Sequence, residues 1–322
     1  MTETAILVLC DPDLAQLAML RELPPRVDVV TGDSEAAFKG AAADATILFN
    51  WSAPLSVFRE VFLMCRKLRW VHSRSAGLDK VLFPELVASN VTLTNGKGVF
   101  SASLGEFALA AILYFAKDFR RMVRSQMAGV WDPFDVAVIS GQTVGIVGYG
   151  DIGRAVAARV KPMGMQVLAV KRRLPPGNAD PLVDQMYSAD ARIDMLSRCD
   201  YVVVAAPLSA ETRGLIGEAE FAAMKKSAVV INVGRGPVID EKAMIKALSV
   251  RKIRGAALDV FDKEPLPAGH PFYGLENVLL SPHCADHTAE WLDDAMRFFL
   301  EQFRRFQHGE PLLNVVDKSL GY

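Results

Sequence analysis

The chain lacks the features that would mark it for a polyanion or a membrane. Its 322 residues carry 36 Lys and Arg against 37 Asp and Glu, so there is no electrostatic footprint for nucleic acid or an anionic lipid surface. Long apolar runs are missing. The longest, Phe107 to Ala116, is about half of what a bilayer requires, and Glu106 and Lys117 close it off, which excludes a spanning helix. Paired cysteines are missing too: Cys10, Cys65, Cys199 and Cys284 lie far apart with no CxxC spacing. That argues against a disulfide framework or a metal site and fits a reducing cytoplasm. No basic segment precedes the apolar stretch of MTETAILVLCDPD, which reads as a first strand and not a secretion signal. What is present is a globular balance, 51% apolar and 23% charged, which rules out disorder. The length suits two domains, each with its own core.

Short β-branched runs alternate with longer helical patterning in two stretches. In the first, Ala5–Cys10, Val27–Val30, Ala45–Phe49, Leu68–His72 and Val91–Leu93 read as strands, with helical segments at Asp13–Glu22, Glu35–Ala42, Pro54–Met64 and Leu78–Leu86. In the second, six strands are expected at Thr143–Val147, Gln166–Val170, Tyr201–Ala205, Ala228–Asn232, Ala256–Val260 and Val278–Leu280. Continuous apolar strands alternating with helices predict parallel α/β sheets covered on both faces. Between the halves, Ser101–Met127 is expected as one helix, with Leu104, Phe107, Ala108, Ala111, Ile112 and Phe115 on a single stripe. Thr288–Phe306 is a second long helix. The chain is expected to leave its first domain by the one and return by the other, bridging a cleft twice; simple tandem domains are the alternative.

The sharpest local signal is TVGIVGYGDIGRAVA, in which Gly148, Gly150 and Gly153 form G-x-G-x-x-G between a strand and a helix. The first glycine permits a tight turn, the second lets backbone approach a pyrophosphate, and the third lets helix and strand pack closely. The helix N-terminus then offers N–H groups and positive dipole to phosphates. Such folds commonly end the second strand with an acid for the adenosine ribose hydroxyls. Here that strand runs into Lys171, Arg172 and Arg173. Arginine grips a 2′-phosphate that a carboxylate would repel, so the expected preference is NADP(H) ahead of NAD(H); a plain basic surface turn is the bland reading.

Three further segments sit at strand ends, where open α/β sheets bind ligands. INVGRGPVID holds Arg235, ALDVFDKEP holds Asp259 and Glu264, and LLSPHCADHT holds His283. An Arg to clamp an anion, a His to pass a proton and an acid to hold the imidazole suffice for carbonyl reduction beside a nicotinamide. Singly, each has a dull reading as a salt-bridge, turn or capping residue. His72 reads as a strand-end residue, His270 and His308 as loop residues, and His287 is ambiguous.

With GYGDIG, APLSAETRGLI, INVGRGPVID, AALDVFDKEPLP and SPH in this order and spacing, the sequence resembles the D-isomer-specific 2-hydroxyacid dehydrogenase family over nearly its whole length. The KRR turn is similar to the NADP-using glyoxylate/hydroxypyruvate reductase branch. The resemblance implies a Rossmann dinucleotide domain, residues 98–286, and a flavodoxin-like substrate domain, residues 1–97 and 287–322. It implies that Arg235 binds the substrate carboxylate, His283 is the acid–base, and Glu264 orients it. Substrate contacts are expected at Ser75, Ala76, Gly77 and Arg235. Cofactor contacts are expected at Gly148, Tyr149, Gly150, Asp151, Ile152, Gly153, Lys171, Arg172, Arg173, Pro207, Thr212, Val233, Gly234, Arg235, Asp259, His283 and Ala285. A homodimer formed through the cofactor domain is implied, and Trp131 stands where hydroxypyruvate-reductase-like members reach into the neighbouring site. It reads equally as an interface anchor or a core residue.

Formate dehydrogenases carry glutamine where Glu264 stands, and long phosphoglycerate dehydrogenases add a regulatory domain for which this sequence leaves no room. The chain departs from the family after His283, with Cys284, Ala285, Asp286 and His287. A carboxylate at Asp286 pairs with His287 or acts on His283, which leaves substrate and pH optimum open. The expected protein is an NADP(H)-dependent reductase of a small 2-oxo acid. The rival readings are a cofactor-sensing binding protein without turnover and an oxidant of another small anion.

Overall fold

The computed structural model describes residues 4–172 and 180–321. The chain divides into two compact units, Met1–Phe100 with Thr288–Tyr322, and Ser101–His287.

In the first unit, β1 (Thr4–Leu9), β2 (Val27–Gly32), β3 (Ile47–Asn50), β4 (Trp70–Ser73) and β5 (Thr92–Asn95) form a parallel sheet in the order β2-β1-β3-β4-β5. This is the flavodoxin-like order. Alternation along the strands divides the apolar residues between two layers. Leu7, Leu9, Leu48 and Val71 face Phe58, Val61 and Phe62 of α1 (Leu55–Met64), while α2 (Pro84–Ala88) adds Leu86. Ile6, Val8, Ile47, Phe49 and Trp70 belong to the opposite layer.

Helical patterning in this unit is only partly realised. Asp13–Glu22 yields a 3-10 turn at Ala15–Glu22, and Glu35–Ala42 yields short 3-10 pieces. Leu20 is the one buried residue of the first, so an α-helix there would have no face to pack. Over Leu78–Leu86, Pro84 forces Phe83 into extended backbone and sets the helix start at Pro84 itself.

In the second unit, the expected Ser101–Met127 helix is two helices, α3 (Ser101–Lys117) and α4 (Phe119–Met127). Asp118 between them is left-handed (φ 51°), and its carboxylate accepts from the Arg121 N–H to cap α4. The sheet comprises β6 (Thr143–Val147), β7 (Gln166–Val170), β8 (Gln185–Tyr187), β9 (Tyr201–Val204), β10 (Val229–Asn232), β11 (Gly255–Leu258) and β12 (Val278–Leu280). Their order is β12-β11-β10-β9-β6-β7-β8, all parallel, which is the Rossmann arrangement with one added strand. The seventh strand, β8, escapes sequence reading because it is three residues long with one of them exposed.

Helices α5 (Asp151–Val160), α6 (Arg192–Arg198), α7 (Glu218–Ala223), α8 (Glu241–Ser249) and the short α9 (Pro271–Gly274) belong to this unit. Val144 and Ile146 pack with Leu104, Ala108 and Ile112 of α3 and Val156 and Val160 of α5.

The last helix, α10 (Trp291–His308), returns to the first unit. Its Ala295, Met296, Phe299, Leu300 and Phe303 cover the second layer of that sheet, and Phe299 stacks on Phe49 at 4.1 Å between ring centroids. Gly309 ends it in a left-handed turn. Among the described residues, no helix is long and apolar enough to cross a membrane, and no group of three His, Cys, Asp or Glu gathers to hold a metal.

Candidate active site

Strand β6 delivers the glycine turn to the C-terminal edge of the larger sheet. Gly148 has φ 95°, and a Cβ there would stand 2.5 Å from the backbone of Ala206. At Gly153 a Cβ would meet Gly148 O at 2.7 Å, so this glycine brings α5 against β6. Gly150 is different: nothing lies within 4 Å of where its Cβ would be. That open face at the start of α5, where the first-turn N–H groups have no partner within the helix, fits a pyrophosphate. Tyr149 shapes the turn. Its N–H bonds Val170 O at 3.2 Å, its ring is buried, and its hydroxyl donates to Asp180 at 2.9 Å.

At the end of β7, Lys171 N bonds Tyr187 O and the Arg172 side chain is ion-paired to Glu211 at 2.8 Å. Arg173 lies outside the described residues. The loop after β9 is tied by Thr212, whose hydroxyl donates to Pro207 O at 2.6 Å and accepts from Ser209 N at 2.8 Å.

Strands β10, β11 and β12 are neighbours in the sheet, which carries Arg235, Asp259 with Glu264, and His283 to one edge. Asn232, 1% exposed at the end of β10, holds the first loop: it accepts from Gly234 N and donates to Arg235 O, both at 3.1 Å. Val233 and Gly234 are buried in this turn, and the Arg235 guanidinium donates to Gly234 O at 2.9 Å.

Asp259 is likewise 1% exposed, and one oxygen, Oδ1, accepts from Ser281 Oγ at 2.6 Å, Cys284 N at 2.9 Å and Ala285 N at 3.1 Å. Ala285 O in turn accepts from Ser103 Oγ. The loop bearing His283 is therefore fastened on both sides. His283 itself is left-handed at φ 52°. That conformation costs a non-glycine residue about 1–2 kcal/mol and persists only where surroundings impose it.

The strained backbone brings His283 Nδ1 to 2.7 Å from Glu264 Oε2. The other oxygen, Oε1, accepts from Phe261 N at 3.0 Å, so the carboxylate is fixed from both ends. Donation from Nδ1 to the carboxylate leaves Nε2 as the nitrogen that exchanges a proton with a ligand. The His283 side chain is 42% exposed, which keeps that nitrogen reachable. Asp286 pairs with His287 at 3.8 Å.

Ser75, Ala76 and Gly77 follow β4 in the first unit and are described within it. Gly96 N bonds Ser75 O at 3.3 Å, and Asn95 Nδ2 bonds Ala76 O at 2.7 Å. The carbonyls of Ser75 and Ala76 are thus held, while among the described residues no acceptor takes the N–H groups of the three, as an anion-binding turn requires. Arg74 beside them passed unnoticed in the sequence. Its guanidinium lies 5.1 Å from the Trp51 ring centroid and 4.9 Å from that of Trp291, and Nε donates to Trp51 O at 2.8 Å. Phe100 meets Trp291 edge-on. The signal for this cluster is spread over widely separated segments. Trp131 is 95% exposed, which removes its reading as a core residue, and no residue of α4 is buried.

Residues 109–285 match the model of the D-isomer specific 2-hydroxyacid dehydrogenase, NAD binding domain. The chain is 33% identical over 273 residues to a glyoxylate reductase of Korarchaeum cryptofilum, covering 81% of this chain and 80% of that one. It is 30% identical over 313 residues to a D-3-phosphoglycerate dehydrogenase of Methanocaldococcus jannaschii, covering 97% of this chain but spanning only 59% of the relative's length. Its fold is similar to that of an NADPH-dependent glyoxylate/hydroxypyruvate reductase of Sinorhizobium meliloti solved with NADP and sulfate, with a TM-score of 0.84 and 25% identity over 99% of this chain and all of that one. The chain belongs to the D-isomer-specific 2-hydroxyacid dehydrogenase family, and is an oxidoreductase built for a nicotinamide dinucleotide.

Proposed function

We propose that this protein reduces a small 2-oxo acid to the D-2-hydroxy acid with NADPH, glyoxylate and hydroxypyruvate leading and bulkier aryl or aliphatic acids next. The observation that carries the reading is the 2.7 Å contact between His283 Nδ1 and Glu264 Oε2, held at the sheet edge that also bears Arg235. When bound, a reduced nicotinamide supplies hydride to the ketone carbon. Arg235 clamps the substrate carboxylate and polarises the ketone oxygen. Protonated His283 gives its Nε2 proton to the developing alkoxide, and Glu264 stabilises the imidazolium while fixing its orientation. The loop of Ser75, Ala76 and Gly77 holds the substrate carboxylate through its backbone N–H groups. In these roles residues 1–97 and 287–322 are the substrate domain and 98–286 the cofactor domain.

NADP preference rests on Lys171, Arg172 and Arg173 at a strand end that lacks a carboxylate. The S. meliloti reductase bound to NADP and the Korarchaeum glyoxylate reductase support the cofactor and the substrate class. A homodimer through the cofactor domain is supported by the uncovered apolar residues of α4 and the segment after it, Met127 (84% exposed), Trp131 and Val138 (68%). The cytoplasm is the compartment this chemistry fits.

The test is nicotinamide absorbance with NADPH and NADH side by side against glyoxylate, hydroxypyruvate, pyruvate, phenylpyruvate and branched 2-oxo acids. NADPH is expected to lead by about tenfold or more in kcat/KM, the worth of charge-assisted bonds to one phosphate. The Lys171→Asp, Arg172→Ala double variant should move the preference toward NADH. Silence across the panel from protein that binds NADPH would replace the reductase with a cofactor sensor.

A further inference from the structure

The strand end that carries Lys171 and Arg172 has no acid of its own, yet an acid reaches it from elsewhere. Glu211, in the loop after β9, places its carboxylate 2.8 Å from Arg172 Nη1. The loop that presents it is firmly built. Besides the Thr212 bonds to Pro207 and Ser209, Arg213 N bonds Ser209 O at 3.1 Å and Gly214 N bonds Pro237 O at 2.8 Å. Glu211 therefore projects from a fixed turn, with its side chain 67% exposed, onto an arginine that is 35% exposed.

A carboxylate and a phosphate dianion ask the same thing of a guanidinium, which is a pair of parallel N–H donors. They also repel each other at this range. We infer that Glu211 is a cofactor-selectivity residue: it holds Arg172 at the adenosine end of the cofactor site and competes with the 2′-phosphate for it, so that NADP(H) binds by exchanging one anion for the other. The exchange keeps the guanidinium positioned before the cofactor arrives, and it limits how tightly the oxidised product is retained. A cofactor without the 2′-phosphate has no such exchange to make. This inference rests on the reading that Lys171 and Arg172 receive the 2′-phosphate.

The experiment titrates the full-length protein with NADPH, NADP+ and NADH, using ligand or tryptophan fluorescence, in wild type, Glu211→Gln, Arg172→Ala and the double variant. Glutamine keeps the size and hydrogen-bonding reach of Glu211 and removes its charge at an exposed position, and a thermal melt checks that the fold is intact. Glu211→Gln is expected to tighten NADPH and NADP+ about three- to tenfold, the effect of removing one competing surface charge, with NADH within about twofold of wild type. That gain should vanish in the Arg172→Ala background. If Arg172→Ala weakens NADPH but Glu211→Gln leaves it unchanged, the role of Glu211 is overturned while the phosphate reading stands. If Arg172→Ala leaves NADPH binding unchanged, the phosphate reading itself fails. Weaker NADH binding in Glu211→Gln would also overturn the inference, because Glu211 would then be an acceptor for the ribose hydroxyls.

Discussion

Replacing Asp259 with alanine tests how the candidate acid–base is held. In the folded protein Asp259 Oδ1 takes three hydrogen bonds, two of them from the backbone N–H groups of Cys284 and Ala285. Removing the acceptor strands those donors in a site where Asp259 is 1% exposed. Each stranded donor costs about 1–3 kcal/mol. Against that, His283 can leave its left-handed conformation and recover about 1–2 kcal/mol. The net is a loss of about 2–3 kcal/mol from the arrangement that puts His283 against Glu264, and at about 1.4 kcal/mol per factor of ten it lowers kcat by about 30- to 150-fold. The loop can relax without the sheet, so Tm should move far less than kcat. Asp259→Asn retains the Oδ1 acceptor and should fall between wild type and alanine. Steady-state kinetics with NADPH and glyoxylate, with Tm alongside, decide it. An alanine variant within threefold of wild-type kcat would show that the bonds to Asp259 are not what positions His283.

Glu264→Gln keeps an acceptor opposite His283 Nδ1 but removes the charge that stabilises the imidazolium, so kcat/KM should fall by about 10²-fold with NADPH affinity nearly unchanged; His283→Ala should fall further, to about 10³–10⁴-fold below wild type. A drop in NADPH affinity matching the drop in rate would assign these residues to cofactor binding and not to proton transfer. Trp131→Ala, made at a side chain 95% exposed in the protomer, should weaken self-association in sedimentation velocity without lowering protomer stability; an unchanged dimer would remove Trp131 from the interface. The buried imidazole of His72 gives a pH dependence of stability. Burial pushes its pKa down from 6.5 to about 3, so between those values the unfolded chain takes up a proton that the folded chain refuses. The stabilising contribution is complete above pH 6.5 and is lost as pH falls, by about 1.4 kcal/mol per unit toward pH 3. Urea unfolding at pH 7 and pH 5 should show a smaller loss in His72→Gln than in wild type, and equal losses would contradict it.

The sheets were readable because their strands are continuous apolar runs whose residues are buried on both faces, a pattern that survives without knowledge of neighbours. What was not readable had causes outside the local pattern. Strand β8 is too short to carry a period, and the break at Asp118 depends on one residue taking φ 51° where the apolar stripe alone gives no reason to stop. His72 shows the same limit. Its place in the sequence suggests the edge of a strand, but the residue is 1% exposed, its Nδ1 hydrogen-bonded at 2.8 Å to Thr94 Oγ1 on the neighbouring strand, which also accepts from Trp70 Nε1 at 2.8 Å. In the site, the glycine turn and the Arg235, Glu264 and His283 segments announce themselves by residue type. Asn232 and the anchoring role of Asp259 do not, since a polar residue ending an apolar strand looks the same whether it touches a ligand or holds a loop.

Those hidden residues explain why the sheet edge can carry chemistry at all. Loops leaving parallel strands have no ladder partners beyond the last bond, so their backbone groups need other partners or they move. Here the polar residues at or just beyond the ends of β10, β11 and β12 supply them: Asn232 bridges Gly234 and Arg235, and Asp259 gathers Ser281, Cys284 and Ala285. One network fixes the loop of the candidate anion clamp and the other fixes the loop of the candidate proton donor. Strand β10 pairs with β11 from Val229 with Gly255 to Asn232 with Leu258, and β11 pairs with β12 from Ala256 with Val278 to Leu258 with Leu280, so the loops after β10, β11 and β12 start from the same level of the sheet. A His held in a strained conformation can keep a 2.7 Å contact with Glu264 only because Asp259 and Ser103 both restrain the loop around it. Fixed orientation is what lets a proton donor act without first paying the entropy of finding its position. The rigidity of this candidate site thus resides as much in Asn232, Asp259 and Ser103 as in Arg235, Glu264 and His283.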